Sequence, residues 1–299
     1  MDSSDEGVAT GDVESTEQKL CDRVEVLTMA LNSGDQADVY YPSRRGHHEY
    51  PIVAFLQGGL VDKSLYSGFG RELAGGGYIV VIPNHFAALA PPPAPPGLFA
   101  SQHSVNDVLA SMTAADANPA SPLHGIVDTT KLGVAGHSFG GAAALYTVEG
   151  SCLPPFCFGF FVRPPQLKAA AVYGVNTFNQ AGVLLDVNTS AAPSVLIQGA
   201  NDGRATPARA AATFGIMETP KGLITINGVN HWGIADVQNP PPNTPDPGVQ
   251  TKSQQYSVET TAKYTQLVFD AYVKGDKGAQ KKLRKEKGEH GVNIEFVDN

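Results

Sequence analysis

Short apolar runs that alternate with helix-like segments constrain the fold of this chain more than any other feature. The run at 51–57 (PIVAFLQ) ends at two glycines, and the run at 78–83 (YIVVIP) follows three. Nearly every position in both runs is apolar, which is typical of strands buried on both faces of a sheet. Further apolar runs, alternating with predicted helices, occupy 131–135, 169–173, 194–198 and 223–227. This alternation predicts one α/β domain with a mostly parallel central sheet and helices on both faces.

The two ends of the chain differ in composition from this central part. Residues 1–21 are acidic and hold too few apolar side chains to offset the entropy lost on ordering, so we expect a disordered tail. Residues 22–275 contain the predicted strands and helices, including a helix with Ser64 as its N-cap that runs to about Ala74. Residues 276–299 form a charged C-terminal extension. The lysine-rich patch at 274–287 is predicted to be a solvated amphipathic end, with contact to an anionic surface as the alternative.

Charge and hydropathy exclude several classes of protein. Lys and Arg number 21 and Asp and Glu number 29, for a net charge of −8, so the chain lacks the basic field of a nucleic-acid-binding protein. No apolar run reaches the roughly 18 residues that a membrane-spanning helix needs. The first residues lack the apolar core of a secretory signal, which leaves an intracellular protein or a trimmed secreted one. Composition indicates no particular oligomeric state.

Motifs for metals and cofactors are weak. Three cysteines are too few for a disulfide scaffold. Cys152 and Cys157, in SCLPPFCF, either form a bridge around a proline-rich loop or remain two free thiols. A metal pair is disfavoured because no histidine or carboxylate stands beside them in the sequence. Neither of the glycine-rich nucleotide-binding motifs occurs in a suitable context, so we expect no metal and no organic cofactor.

The sharpest chemical motif is Gly136-His137-Ser138-Phe139-Gly140, which follows an apolar strand and precedes an alanine-rich helix. It has the form G-x-S-x-G, in which a serine stands on a strained strand-to-helix turn and the residues two before and two after it must lack bulk. The helix N-terminus then directs backbone amides towards the place where an oxyanion develops. This setting predicts Ser138 as a nucleophile.

A nucleophilic serine needs a histidine as its base. Downstream of Ser138 the chain holds two histidines, His231 and His290. His231 follows the apolar run at 223–227 through a short loop, whereas His290 lies in the charged end without an apolar strand before it. Because loops at the carboxyl ends of parallel strands carry such sites, His231 is the predicted base.

The base in turn needs a carboxylate that orients it. Asp202 lies in the loop after the run at 194–198 and precedes Gly203, which permits a tight turn. Asp186 is the second candidate, but no clear strand comes directly before it. Asp202 is therefore the predicted acid, and the resulting chain order of serine, aspartate and histidine is the one that α/β-hydrolases use.

The oxyanion needs two backbone amide donors. The first predicted donor is the amide of Phe139, directly after the nucleophile. The second should come from the loop after the first buried run, where Gly59 is the predicted donor, Leu60 is the alternate, and Gln57 is placed to hold the loop by hydrogen bonds. Leu60 and Trp232 are the predicted substrate-binding residues. Trp232 is the only tryptophan and stands next to the predicted base, with core packing as its alternative role.

With these residues placed, the chain resembles the chlorophyllase and cutinase-like polyester-hydrolase branch of the α/β-hydrolases over about residues 22–275. The likeness lies first in the opening segment 40–85, which holds a strand, the oxyanion loop and a Ser-x-Tyr-Ser helix start, for which chlorophyllases have a similar Asn-Ser-Phe-Tyr-Ser. It continues in the nucleophile segment GVAGHSFGGAAAL and in the histidine segment INGVNHWGIAD.

The resemblance implies the α/β-hydrolase fold and a Ser138, Asp202 and His231 triad that cleaves esters through an acyl-enzyme, with no cofactor. Gln57 replaces the usual histidine before the oxyanion glycine, and Phe139 stands where plant chlorophyllases have arginine. We therefore expect a serine carboxylic-ester hydrolase whose partner is a small hydrophobic ester. Chlorophyll is the first candidate substrate, and a polyester or short-chain ester is the alternative. A non-catalytic binding protein of the same fold is the alternative from another class, and an intact triad argues against it.

Overall fold

The central element of the fold is a twisted β-sheet that crosses the whole domain. The computed structural model describes residues 24–43, 48–88, 95–285, 288–289 and 291–298. The predicted disordered tail, residues 1–21, lies outside these described residues, and so does His290. In chain order, the strands that the described residues form are β1 (Val24–Ala30), β2 (Gln36–Pro42), β3 (Tyr50–Leu56), β4 (Ile79–Asn84), β5 (Phe86–Ala87), β6 (Gly97–Leu98), β7 (Val127–His137), β8 (Leu167–Tyr173), β9 (Ser194–Gly199), β10 (Lys221–Ile226) and β11 (Val292–Val297).

Nine of these strands, as far as the described residues extend, form one sheet in the order β1-β2-β4-β3-β7-β8-β9-β10-β11. The six neighbouring strands β4, β3, β7, β8, β9 and β10 pair in parallel. Strands β1, β2 and β11 run antiparallel to their neighbours. Among the residues that the structure describes, the short strands β5 and β6 pair only with each other. The mostly parallel sheet that the sequence predicted is confirmed.

Helices cover both faces of the sheet, as predicted. Their bounds are α1 (Ser67–Gly75), α2 (His103–Ala117), α3 (Ser138–Glu149), α4 (Pro207–Ile216), α5 (Gln254–Tyr272) and α6 (Lys277–Lys285), and a single 3₁₀ turn, Lys63–Tyr66, precedes α1. Buried side chains of α2, α3 and α4 form one core, and those of α1, α5 and α6 form the other. Strand β3 contributes side chains to both cores. Ala54 and Leu56 face the first core, and Val53 and Phe55 face the second. Alternating side chains of a strand point to opposite faces, so a fully apolar strand is needed here.

One local expectation differs from the structure. Ser64 does not cap a helix. Asp62 is the N-cap of the 3₁₀ turn, and its carboxylate accepts the N–H of Ser64. The α-helix itself starts only at Ser67. The 3₁₀ turn ahead of the helix explains the error, because it has an N-cap of its own, and aspartate and serine are both good caps that stand two residues apart.

The C-terminal segment contributes to the sheet, which the sequence analysis did not anticipate. Strand β11 pairs antiparallel with β10 along its whole length, and Leu283 of α6 is buried in the second core. Exposed positions in β11 alternate with buried or half-buried ones, as in an edge strand with one solvated face. In the part of the chain that the structure describes, no helix combines the length and the apolar character that crossing a membrane requires.

Candidate active site

Ser138 stands at the junction of β7 and α3, with a backbone φ of 53°. This left-handed conformation is unfavourable for any residue with a side chain and is a mark of a constrained functional turn. The flanking glycines are sterically required. A Cβ at Gly136 would lie 2.7 Å from the carbonyl oxygen of Gly140, and a Cβ at Gly140 would lie 2.2 Å from the carbonyl oxygen of Leu56. The turn therefore has the geometry that the G-x-S-x-G motif predicted.

The structure brings the three predicted triad residues together. His231 Nε2 lies 3.0 Å from Ser138 Oγ, and His231 Nδ1 lies 2.8 Å from Asp202 Oδ2. Asp202 and His231 are each 2% exposed. The three residues follow β7, β9 and β10, whose parallel pairing sets their carboxyl ends at one edge of the sheet. The contact is close enough for a proton to pass from the hydroxyl to the imidazole.

Asp202 is held by backbone amides as well as by the histidine. Its Oδ1 accepts the N–H groups of Arg204 and Ala205, at 2.8 and 2.7 Å, which leaves Oδ2 directed to His231. The second candidate acid, Asp186, is exposed on the surface. The carboxylate that faces the histidine is therefore the one in the loop after β9.

Two residues next to His231 were missed by sequence reasoning. Asp246 Oδ2 accepts the N–H of His231 at 2.7 Å, and its Oδ1 accepts the N–H of Gly203 at 2.9 Å, so it joins the loop of His231 to the loop of Asp202. A side chain at Gly174 would meet His231 Nδ1 at 3.0 Å, so glycine leaves room for the pair. Asp246 lies in a proline-rich loop without any periodic signal, which is why the sequence did not single it out.

His137 directly precedes Ser138 and connects the turn of Tyr66 to the loop of His231. Its Nε2 is 2.9 Å from the carbonyl oxygen of His231, and its Nδ1 is 3.0 Å from the hydroxyl of Tyr66, which accepts the N–H of Gly58. Complete burial holds the pKa of His137 well below its usual range, and the neighbouring His231 lowers it further. The neutral ring thus donates from Nε2 to the carbonyl and accepts from Tyr66 at Nδ1.

We expect acid to destabilise the protein through His137. Below its ordinary pKa of about 6.5 the imidazole takes up a proton in the unfolded chain but stays neutral in the folded protein, so the free energy of unfolding falls as the pH falls. The slope from this group is ~1.4 kcal/mol per pH unit, starting below about pH 6.5. Urea unfolding between pH 7 and pH 5 measures it. A His137→Asn variant should show a shallower slope, and an unchanged slope would contradict the assignment.

The amides near the nucleophile differ in whether they already have acceptors. The N–H of Gly58 donates to Tyr66, and the N–H of Leu60 donates to the carbonyl oxygen of Leu98 at 2.6 Å. Among the described residues, no acceptor lies within hydrogen-bond distance of the N–H of Gly59. The amide of Phe139 lies in the first turn of α3, where helix N–H groups lack intrahelical acceptors. Gly59 and Phe139 thus offer free donors, and Leu60 does not.

A cavity of about 250 Å³ opens over these groups. Its lining includes Ser138, His231 and both predicted substrate-binding residues, Leu60 and Trp232. The Trp232 side chain is 1% exposed, and its ring centroid lies 5.3 Å from that of His231. Trp232 is therefore packed in the core and also lines this cavity.

Comparison with known proteins identifies the family of the chain. The family described as PETase, PET hydrolase-like, matches residues 21–240, a span that covers well over half of the chain and holds Ser138, Asp202 and His231. Among curated proteins, none matches the chain. The family match favours the polyester side of the resemblance, which the sequence analysis gave as the alternative, over the chlorophyllase side. The chain therefore belongs to the PET hydrolase-like family of α/β-hydrolases and is a carboxylic ester hydrolase.

Proposed function

We propose that the protein hydrolyses ester bonds of hydrophobic, polyester-type substrates, with Ser138 as nucleophile, His231 as base and Asp202 as the orienting acid. The observation that carries this proposal is the unbroken chain of two short contacts, 3.0 Å from Ser138 Oγ to His231 Nε2 and 2.8 Å from His231 Nδ1 to Asp202 Oδ2. The membership in the PET hydrolase-like family supports the substrate class.

The reaction follows from these positions. Ser138 Oγ attacks the ester carbonyl carbon while its proton moves to His231 Nε2, and Asp202 stabilises the imidazolium. The amides of Gly59 and Phe139 donate to the resulting oxyanion. The tetrahedral species then expels the alcohol, which takes the proton from His231, and leaves an acyl-enzyme. Water, deprotonated by the same histidine, attacks this ester and releases the acid and free Ser138.

Product analysis on three substrates tests the proposal. The purified protein is incubated with an amorphous aromatic polyester film, with p-nitrophenyl butyrate and with chlorophyll a, and the Ser138→Ala variant serves as control. We expect soluble acid from the film and p-nitrophenol from the butyrate, with both lost in the variant. Release of chlorophyllide without any product from the film would identify chlorophyll, and not a polyester, as the substrate. No release from any of the three would contradict the function as a whole.

Replacing Gly59 with alanine should lower kcat, because the added Cβ would lie 2.9 Å from Phe99 Cε1 and push the loop out of place. Loss of one oxyanion donor costs about 10²–10³ in kcat in other hydrolases, and we expect an effect up to that size. Steady-state kinetics of p-nitrophenyl butyrate hydrolysis measures it. The double variant Gly59→Ala, Phe99→Ala should recover part of the loss, since the obstructing ring is gone. Full activity in the single variant would contradict the expected displacement of this loop by the added Cβ.

A further inference from the structure

The loop that carries Gly59 has an unfavourable backbone conformation. Leu60 has a φ of 59°, in the left-handed region that residues with a side chain rarely adopt. The N–H of Val61 donates to the carbonyl oxygen of Gly58 at 3.2 Å and closes a tight turn over Gly59 and Leu60. Because the C=O and N–H of a trans peptide point in opposite directions, this bond also fixes the direction of the Gly59 N–H. Such strain persists only where surrounding contacts hold the backbone in place.

Two hydrogen bonds from outside the turn hold it. The N–H of Leu60 donates to the carbonyl oxygen of Leu98 at 2.6 Å, and the N–H of Gly58 donates to the hydroxyl of Tyr66 at 2.9 Å. Tyr66 is 0% exposed, so the second bond lies out of contact with solvent. A Cβ at Gly58 would lie 3.1 Å from the same hydroxyl, which shows how closely the tyrosine packs against the loop. The side chain of Tyr66 is therefore a buried support of the donor loop.

From Tyr66 the hydrogen bonds continue to the loop of the base. The Tyr66 hydroxyl lies 3.0 Å from His137 Nδ1, and His137 Nε2 lies 2.9 Å from the carbonyl oxygen of His231. Burial raises the pKa of the Tyr66 hydroxyl, which therefore stays protonated, and burial keeps the His137 ring neutral by lowering its pKa. Tyr66 thus accepts from Gly58 and donates to His137, which donates in turn to the base loop. Every polar atom of the Tyr66–His137 pair has a partner.

We propose that Tyr66 and His137 are positioning residues that hold the donor loop of Gly59 and the base loop of His231 in fixed relation to each other. The inference rests on the proposed function, because it assigns a role within the same reaction. An oxyanion donor is effective only if it is already directed at the place where the charge develops. Since that charge forms after the substrate has bound, loss of the pair should lower kcat and leave KM nearly unchanged.

Tyr66→Phe tests the proposal, because it removes the hydroxyl and keeps the buried ring. The N–H of Gly58 and Nδ1 of His137 lose their partner, so we expect kcat for p-nitrophenyl butyrate to fall about 10–100-fold, with KM within about twofold. Tyr78→Phe is the matched control. Tyr78 is also 0% exposed and donates to Asp270 at 2.8 Å, but it precedes β4, at the opposite end of the strands from the triad. Both variants should lower Tm, and equal kcat in the two would overturn the proposal.

A spectroscopic measurement reports the hydrogen bonds of the pair without catalysis. In proton NMR of protein with isotope-labelled histidine, the buried Nε2–H of His137 should give a downfield signal that exchanges slowly with solvent. The signal should vanish in His137→Asn, shift in Tyr66→Phe and stay in place in Tyr78→Phe. If His137→Asn does not fold, the response to Tyr66→Phe identifies the signal. A spectrum without a signal that responds to Tyr66→Phe would contradict the contact between the two residues.

The two measurements together separate the inference from the function on which it rests. A shifted signal and a lower kcat in Tyr66→Phe would support the positioning role. A shifted signal with the kcat of the wild-type protein would overturn that role and leave ester hydrolysis intact. Absence of ester turnover in the wild-type protein, with the signal still shifted by Tyr66→Phe, would contradict the proposed function, although the contact between Tyr66 and His137 would then be confirmed.

Discussion

Replacing Ser138 with alanine should lower kcat for p-nitrophenyl butyrate by about 10⁴–10⁶. The variant keeps the backbone amides and the cavity, but it has no oxygen within 3.0 Å of His231 Nε2 to form the acyl-enzyme. Residual turnover would then come only from water activated by the histidine and from oxyanion stabilisation. The burst of p-nitrophenol release measures formation of the acyl-enzyme, and the steady-state rate measures the decrease in kcat.

The matched control for Ser138 is Ser190→Ala, a change at an exposed serine whose hydroxyl donates only to Asn188. It should leave kcat unchanged. A fluorophosphonate probe should label the wild-type protein and the control but not Ser138→Ala. If the probe labels none of the three folded proteins, the chain is a non-catalytic binding protein with the hydrolase fold.

Asp202→Asn should lower kcat by about 10⁴, the size found for the equivalent change in serine proteases. Asparagine can still accept the N–H groups of Arg204 and Ala205 through its oxygen. Its NH₂ group would then face His231 Nδ1, where Oδ2 lies at 2.8 Å in the wild-type protein. A donor in that place selects the imidazole tautomer that carries its proton on Nε2, so the ring can no longer accept the proton of Ser138.

The control for this change is Asp186→Asn, because Asp186 was the second candidate for the acid and is exposed. We expect wild-type kcat there. Comparison of kcat and KM in both variants with thermal unfolding separates a loss of proton transfer from a loss of folding. Equal kcat of Asp202→Asn and wild type would show that Asp202 is not the acid that orients His231. A loss of kcat in Asp186→Asn alone would assign that role to Asp186.

Much of this protein could be predicted from local sequence, because the relevant physics acts over a few residues. A fully apolar strand such as β3 belongs in the middle of a parallel sheet, since both of its faces must be buried. The glycines at 136 and 140 are needed because a Cβ at either position would collide with backbone atoms. Loops that end parallel strands meet at one edge, so the positions of Asp202 and His231 after two such strands predicted their approach.

The resemblance drawn from these motifs was confirmed at the level of the family, and its first substrate was not. The nucleophile and histidine segments are short, and they reflect the ester-hydrolysis reaction, which chlorophyllases and polyester hydrolases share. Substrate choice depends on side chains that line the cavities, and these come from loops whose conformation has no periodic signal in the sequence. The sequence therefore favoured chlorophyll without information on the side chains that line the site.

Other features were decided only by contacts between residues that are distant in the chain. The choice between Gly59 and Leu60 depends on Leu98, whose carbonyl already accepts the amide of Leu60. Asp246 acquires its role because a proline-rich loop folds back onto the base. Strand β11 forms because β10 leaves an edge open to it.

Local sequence thus determined the sheet, the turn at Ser138 and the order of the predicted triad residues, because backbone conformation and apolar periodicity are local properties. The hydrogen bond that occupies the amide of Leu60, the contact of Asp246 with His231 and the bond between Cys152 and Cys157 were decided by the tertiary structure. Each of these depends on which donors, acceptors and cysteines are brought within a few ångströms of one another, and that proximity arises only when the chain has folded.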